Sequence, residues 1–380
     1  MGFRLLVLGF FLLTVSLNVC TCASSTIISA DTNDTLIFAS VIYRHGDRNI
    51  NRMYPNDPYK DEIHWPDGGI GQLTKEGKRQ QYRLGQYFRY KYGKLLGDKY
   101  SANKVYIQST DTDRTIMSAL ANLAAVFPPT AEEVWNEDIK NWQPIPVHTV
   151  PKSLDNVLSA SKNCPKYKVA YEQYLKDSPE VQRIESEYAD LFSHWTEMCG
   201  ANITTITDVY WLYNTLQIEQ DHNKTLAHWA EEAIKPNGTM EYIATFDFKT
   251  YTDTPLLARL KSGFLLNEIL EHFAQKMNST LQPSRNIWLY SAHDITITNM
   301  LNSLSLYELH IPPYASSLHF ELYKSSDDEH YIQIFYRKSD EDELSPMNIP
   351  NCGEKCTLDR FYAIYNDIIP GDFDVECSLS

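Results

Sequence analysis

The sequence predicts an α/β protein with a mainly parallel central sheet, helices on both of its faces, and an inserted, mainly helical lobe. Three observations predict it. Residues 35–127 read strand, helix, strand, helix, the order that builds parallel sheets. Residues 131–240 carry several amphipathic helical patterns, many Tyr and Trp, and no strand signal outside "IPVHTV" (145–150). From residue 256 onward helices and strands alternate again. The core is therefore expected over 24–130 and 241–380, and the lobe over 131–240.

Each element has its own reason. "TLIFASVIYR" (35–44) is β-branched and apolar without clean alternation, as a strand covered on both faces is. A loop rich in Pro, Asp and Gly (54–71) follows it. In "LTKEGKRQQYRLGQYFRYKYGKLL" (73–96), Thr74 can cap a helix whose apolar residues recur at helical spacing and whose expected end is Gly93. "KVYIQST" (104–110) reads as a strand, and "DRTIMSALANLAAVF" (113–127) as a helix stopped by Pro128 and Pro129. Downstream, "LLARLKSGFLLNEILEHFAQKM" (256–277) reads as one helix, "NIWLYSA" (286–292) as a strand and "ITNMLNSL" (297–304) as a helix. "SSLHFELYK" and "HYIQIFYRK" form a hairpin that turns at "SSDDE".

Residues 1–23 have the layout of a secretory signal: one early charge, Arg4, an apolar run from Leu5 to Val15, and small or polar residues ending at Ala23. No later stretch approaches the roughly 20 apolar residues of a spanning helix. A soluble, secreted protein without a membrane anchor is expected. Five N-x-S/T sequons, at Asn33, Asn202, Asn223, Asn237 and Asn278, fit that route as glycosylation sites. Cleavage would remove Cys20 and Cys22 and leave Cys164, Cys199, Cys352, Cys356 and Cys377, an odd set that allows two bridges and one unpaired thiol. Cys352 and Cys356, separated by "GEK", suit a tight loop bridge; the rival reading, half a zinc site, lacks a second thiol pair. A formal charge of −15 argues against a nucleic-acid partner.

Chemistry concentrates at three strand exits, where open α/β sheets bind ligands. They are "YRHGDR" (43–48), "QSTDTDRT" (108–115) and "YSAHDIT" (290–296). Arg44 and Arg48 offer planar forks to phosphate oxygens around His45, and Gly46 lets backbone come close. Arg114 falls in the first turn of a helix, where a cation opposes the dipole unless an anion is bound. His293 and Asp294 open another helix, where Asp alone is an ordinary capping residue. Each exit taken singly has a plain structural reading. Together three Arg, two His and a carboxylate supply an anion cradle, a nucleophile and an acid, the kit for phosphoryl transfer without metal.

"RHGDR" near the expected mature N-terminus, "STDTDRT", "NWQPIPVHTVP" (141–151), "SAHD" and "PPYASS" together resemble the histidine acid phosphatases over essentially the whole mature chain. The similarity is greatest to the prostatic and lysosomal type and to secreted insect and venom acid phosphatases. The resemblance implies that His45 attacks phosphorus, that Arg44, Arg48, Arg114 and His293 hold the phosphoryl oxygens, and that Asp294 protonates the leaving oxygen. It implies no cofactor or metal, a phosphate monoester substrate and a homodimer. It also implies bridges between Cys164 and Cys377 and between Cys352 and Cys356, with Cys199 either free or linking two chains. The ending "CSLS" lacks the membrane segment of the lysosomal relatives, which favours secretion over the lysosomal lumen. Two departures stand out. The family's R-H-G-x-R-x-P becomes Asn49 and Ile50 after Arg48, so a softer loop is expected, and Ser317 stands where Cys is usual.

Other classes fit less well. A non-catalytic phospholigand-binding protein would use the same arginines but has no need of Asp294, and a cytosolic mutase would not carry a signal or sequons. A metallophosphatase needs more Asp, His and Asn ligands than "AHD" and "HGD" supply. A serine hydrolase would show G-x-S-x-G, which is absent. Aromatic residues of the lobe, Trp142 among them, are expected to wall the substrate entrance.

Overall fold

A computed structural model describes residues 34–379. The expected signal at 1–23, Cys20, Cys22 and the Asn33 sequon lie outside the described residues. In chain order the elements are β1 (Thr35–Arg44), α1 (Lys75–Leu96), β2 (Val105–Thr110), α2 (Asp113–Val126) and β3 (His148–Val150). A helical stretch follows, with α3 (Pro165–Asp177), α4 (Pro179–Glu187), α5 (Ala189–Cys199), α6 (Ile206–Asp221), α7 (His228–Ala233), α8 (Thr239–Thr250), α9 (Pro255–Lys261) and α10 (Gly263–Met277). The chain then forms β4 (Ile287–Ala292), α11 (Asp294–Ser303), β5 (Ser317–Lys324), β6 (His330–Arg337), β7 (Ser345–Pro346), β8 (Cys356–Thr357), α12 (Leu358–Tyr365) and α13 (Phe373–Cys377).

The strands make one mixed sheet in the order β3-β2-β4-β1-β5-β6-β7, with β8 also paired to β6. β3, β2, β4 and β1 run parallel; β5 and β6 close the other side as an antiparallel hairpin. Between β1 and β2 the chain skips a position that β4 later fills. Arg44 pairs with Ala292, and Ser109 with Ser291, so the carboxyl ends of β2, β4 and β1 finish at one level. That crevice is where such sheets bind ligands.

Burial explains the pattern of β1. Phe38 and Ile42 pack with Leu266, Ile269, Leu270 and Phe273 of α10, while Ala39, Val41 and Tyr43 pack with Leu84 and Phe88 of α1 and Ala119 and Leu123 of α2. With both faces apolar no alternation survives in the sequence. Each large apolar side chain so buried contributes about 1.5–3 kcal/mol. A separate apolar cluster is built from α4, α5, α6, α7 and α8, with Val181, Phe192, Trp195, Leu216, Ala230, Ile243 and Phe248 among its members.

Three element boundaries differ from expectation. α1 passes Gly93 and ends at Leu96, because Leu95 and Leu96 are buried against the sheet; Gly97, at φ 74°, closes it, and its one irregular residue is Tyr92. The single helix expected over 256–277 is two, parted at Ser262. There the chain is crowded: Ser262 Oγ bonds Ser303 Oγ at 2.5 Å, and a Cβ on Gly263 would lie 2.3 Å from the Ile368 carbonyl oxygen. α11 begins at Asp294, not at Ile297, with His293 as its N-cap residue.

Cys164 is bonded to Cys377, and Cys352 to Cys356. Cys199 is free and fully buried in the helical cluster, so a link through it to another chain is not available in this fold. Asn202, Asn223, Asn237 and Asn278 are all exposed. Among the described residues no helix is long and apolar enough to cross a membrane.

Candidate active site

The 44–48 loop lies on the start of α1, backbone against backbone. A Cβ on Gly46 would sit 2.2 Å from the Gly77 carbonyl oxygen, and one on Gly77 would sit 2.2 Å from that of Asp47. Only glycine at both positions allows this approach. Side chains of α1 and α2 then satisfy the loop's peptide groups: Gln81 Nε2 donates to the Arg44 carbonyl at 2.8 Å, Gly46 N to Ser118 Oγ at 3.2 Å, and Asp47 N to Gln80 Oε1 at 2.7 Å. Substituting Gly46 by Ala is expected to displace the loop and lower kcat/KM on the order of 100-fold. Steady-state kinetics beside a circular-dichroism spectrum would check this.

The structure brings together all six residues singled out at the three strand exits. His45 is buried, and its Nδ1 lies 2.8 Å from the Gly46 carbonyl oxygen. That oxygen only accepts, so Nδ1 carries the proton and the Nε2 lone pair is left for chemistry. Burial first, then the charges of Arg114 and Arg44, with His293 and Arg48, hold the His45 pKa well below the usual imidazole value. The ring is therefore neutral in acid. Its centroid lies 5.5 Å from that of His293 and 5.9 Å from that of Tyr314.

His293 has a defined tautomer as well. Arg114 Nη2 donates to its Nδ1 at 3.4 Å, so Nε2 carries the proton and donates to Thr110 Oγ1 at 3.0 Å. Thr110 Oγ1 continues to Thr115 Oγ1 at 2.9 Å, whose proton goes to the backbone. Burial, then Arg114, bring the His293 pKa down to about 3, against the opposing pull of Asp294. Arg114 itself is lowered to about 10, by burial first and then by Arg48.

Asp294 Oδ2 pairs with Arg44 Nη2 at 2.7 Å. Burial alone would raise its pKa, but Arg44, Arg48, His293 and the Ile295 N–H, which donates to Oδ1 at 2.7 Å, outweigh burial and hold it below the usual carboxylate value. Arg44 also donates through Nη1 to the Pro312 carbonyl at 2.6 Å and lies over the Tyr314 ring. The Nε atoms of Arg44, Arg48 and Arg114 are buried and have no hydrogen-bond partner among the described residues. Such donors call for an acceptor, and α2 and α11 also point their N-termini at this place.

Several site residues escaped the sequence reading. Asn214 on α6 accepts from Arg48 Nη2 at 3.0 Å, and His222, just past the same helix, donates from Nε2 to the Asp47 carboxylate at 3.1 Å. Thr74, the cap of α1, also donates to that carboxylate. α6 thus grips the loop at two points from within the helical stretch, a long-range pairing with no local signature. Asn214→Ala is expected to leave Arg48 unguided and to raise the inhibition constant of inorganic phosphate about tenfold, as losing a bond to a charged group does. A competition assay measures it.

Two further expectations are corrected. Trp142 does not line the cleft; it sits against Trp135, with ring centroids 6.2 Å apart. The apolar wall of the cleft, about 440 Å³ in volume, comes from Tyr210, Trp211, Phe248 and Tyr251. The loop after Arg48 is also not left loose by the missing Pro. Asn49 Nδ2 donates to the Pro66 and Gly69 carbonyls at 2.5 and 2.7 Å, and Ile50 is fully buried with Trp65 and Ile218.

The comparisons with known proteins agree with this geometry. The profile of the histidine phosphatase superfamily (branch 2) matches residues 35–337. Prostatic acid phosphatase of Homo sapiens is 37% identical over 348 residues, 90% of this chain and 88% of that protein. Lysosomal acid phosphatase of Rattus norvegicus is 36% identical over 354 residues, 91% of this chain and 81% of that protein. The chain belongs to the histidine phosphatase superfamily, branch 2. Within it, this protein is an enzyme of the acid phosphatase group. Among solved structures, the apo form of Hafnia alvei phytase shares the fold, with a TM-score of 0.66 at 15% identity over 93% of this chain and 100% of that one.

Proposed function

We propose that this protein is a secreted acid phosphatase that hydrolyses phosphate monoesters through a phosphohistidine, without metal. The observation that carries the reading is the set of three guanidiniums, each with a buried Nε that has no partner among the described residues, converging around a neutral His45. They supply the positive charge that phosphoryl transfer requires. His45 Nε2 attacks phosphorus as the P–O bond to the leaving group breaks, and Asp294 gives that oxygen its proton. Asp294, now a carboxylate, takes a proton from water as the water oxygen attacks phosphorus; the N–P bond breaks and phosphate leaves. Arg44, Arg48 and Arg114 hold the phosphoryl oxygens throughout, and His293 joins them by turning its Nε2–H from Thr110 Oγ1 to a phosphoryl oxygen.

The pH dependence follows from where the proton starts. Asp294 is held ionised in the free enzyme, so the proton it delivers enters with the substrate as a phosphate monoanion. A phosphate ester loses that proton at about pH 6. Neutral His45 stays competent well below this, because its pKa is depressed. Activity is therefore expected to peak in acid and to fall as pH rises through the second pKa of the substrate. A pH–rate profile checks it, and an optimum above about 7.5 would overturn the assignment.

The test of the reading as a whole is hydrolysis of p-nitrophenyl phosphate near pH 5 with chelator present. Undiminished activity is expected, and activity restored only by a divalent metal would refute it. Secretion is supported by the layout of residues 1–23, four exposed sequons and two disulfides. Protein recovered from culture medium should gain mobility on glycosidase treatment.

A further inference from the structure

The chain is strongly acidic, yet residues 152–168 hold Lys152, Lys162, Lys166 and Lys168 against one carboxylate, Asp155. Asp155 is buried, and its Oδ1 accepts from the Val157 and Leu158 amides, so this one carboxylate offsets only part of the charge of the four lysines. Lys152, Lys162 and Lys168 line a groove of about 510 Å³. Cys164 and Pro165, where α3 begins, line the same groove, and no side chain caps that helix. Its N-terminal dipole adds to the field of the lysines. The groove is continuous with the active cleft, since Lys152 and Ser161 line both.

We infer that this groove is a second anion site for the same substrate molecule, which binds a distal phosphate while another phosphate of that molecule faces His45. The substrate class is then a small bis- or polyphosphorylated compound. A long polyanion does not fit the formal charge of −15 that surrounds this one basic strip. Lys162 adds a reason for acid to favour such substrates. Burial and the neighbouring Lys261 bring its pKa down to about 7, with Asp155 and Glu268 acting the other way, so it carries its charge at pH 5. Both ammonium groups also hold backbone: Lys162 Nζ donates to the Val157 carbonyl at 2.6 Å and keeps two N–H bonds for a ligand, and Lys261 Nζ donates to the Ala160 carbonyl at 2.6 Å between groove and cleft.

The inference rests on the phosphatase reading, and its test separates the two. Hexyl phosphate would be compared at pH 5 and low ionic strength with a series of α,ω-alkanediol bisphosphates of increasing chain length. At the best length kcat/KM for the bisphosphate should exceed that for hexyl phosphate about tenfold, and salt should erode the difference. In the double variant Lys166→Glu/Lys168→Glu, neither position lining the active cleft, the preference should vanish while hexyl phosphate hydrolysis stays within about threefold. Equal rates at every length, or a preference that survives the double variant, would overturn the second site. Failure of the unmodified protein to hydrolyse hexyl phosphate at all would instead overturn the phosphatase reading.

Discussion

His45→Ala is expected to lower hydrolysis of p-nitrophenyl phosphate by about 10³-fold or more, since it removes the proposed nucleophile and not merely a contact. The cradle should persist, because Arg44, Arg48 and Arg114 are held by partners other than His45: Pro312 and Asp294, Asn49 and Asn214, and His293. The variant should accordingly still bind inorganic phosphate, which a merely misfolded protein would not. Rapid quenching with labelled substrate should trap an acid-labile, alkali-stable phosphoenzyme in the unmodified protein and none in the variant. A phosphoenzyme that survives in the variant would move the nucleophile elsewhere.

Asp294→Asn should divide substrates by their leaving group. Asparagine keeps one oxygen, which can accept from the Ile295 amide or from Arg44 but not from both, and it cannot carry a proton to the departing oxygen. For an alkyl phosphate, whose leaving alkoxide is strongly basic, kcat/KM should fall about 10²- to 10⁴-fold. For p-nitrophenyl phosphate, whose leaving phenolate is stable without a proton, the loss in kcat/KM should be less than about tenfold. Equal losses on the two substrates would show that Asp294 serves as a counter-ion to Arg44 alone.

Much of the site was legible because its residues sit in short local runs. Arg44, His45 and Arg48 fall within five positions, and His293 and Asp294 are adjacent, each run directly after an apolar stretch that reads as a strand. The missed partners belong to distant elements. Asn214 reaches Arg48 across 166 positions and His222 reaches Asp47 across 175, from α6 and its C-cap, whose own pattern reports only packing. For the same reason the sequence points to Trp142 for the aromatic wall, which the structure builds from Tyr210, Trp211, Phe248 and Tyr251. Trp142 is as aromatic as Trp211, and nothing in its neighbours tells which of the two faces the cleft.

Boundaries show the same division. Thr74 capping α1 was readable from residues within one turn. The break at Ser262 was not, since α9 and α10 have a continuous helical pattern and part only where Ser303 and the Ile368 carbonyl crowd against them. By itself the sequence determined the fold class, the order of strand and helix in the core, and the six residues that meet at the strand exits, because hydrophobic period and local residue chemistry act over a few positions. Only the tertiary structure decided the tautomer of His45, the ionised state of Asp294, the grip of α6 on the loop and the basic groove beside the cleft. These depend on electric fields, burial and hydrogen bonds between groups that the chain brings together only by folding.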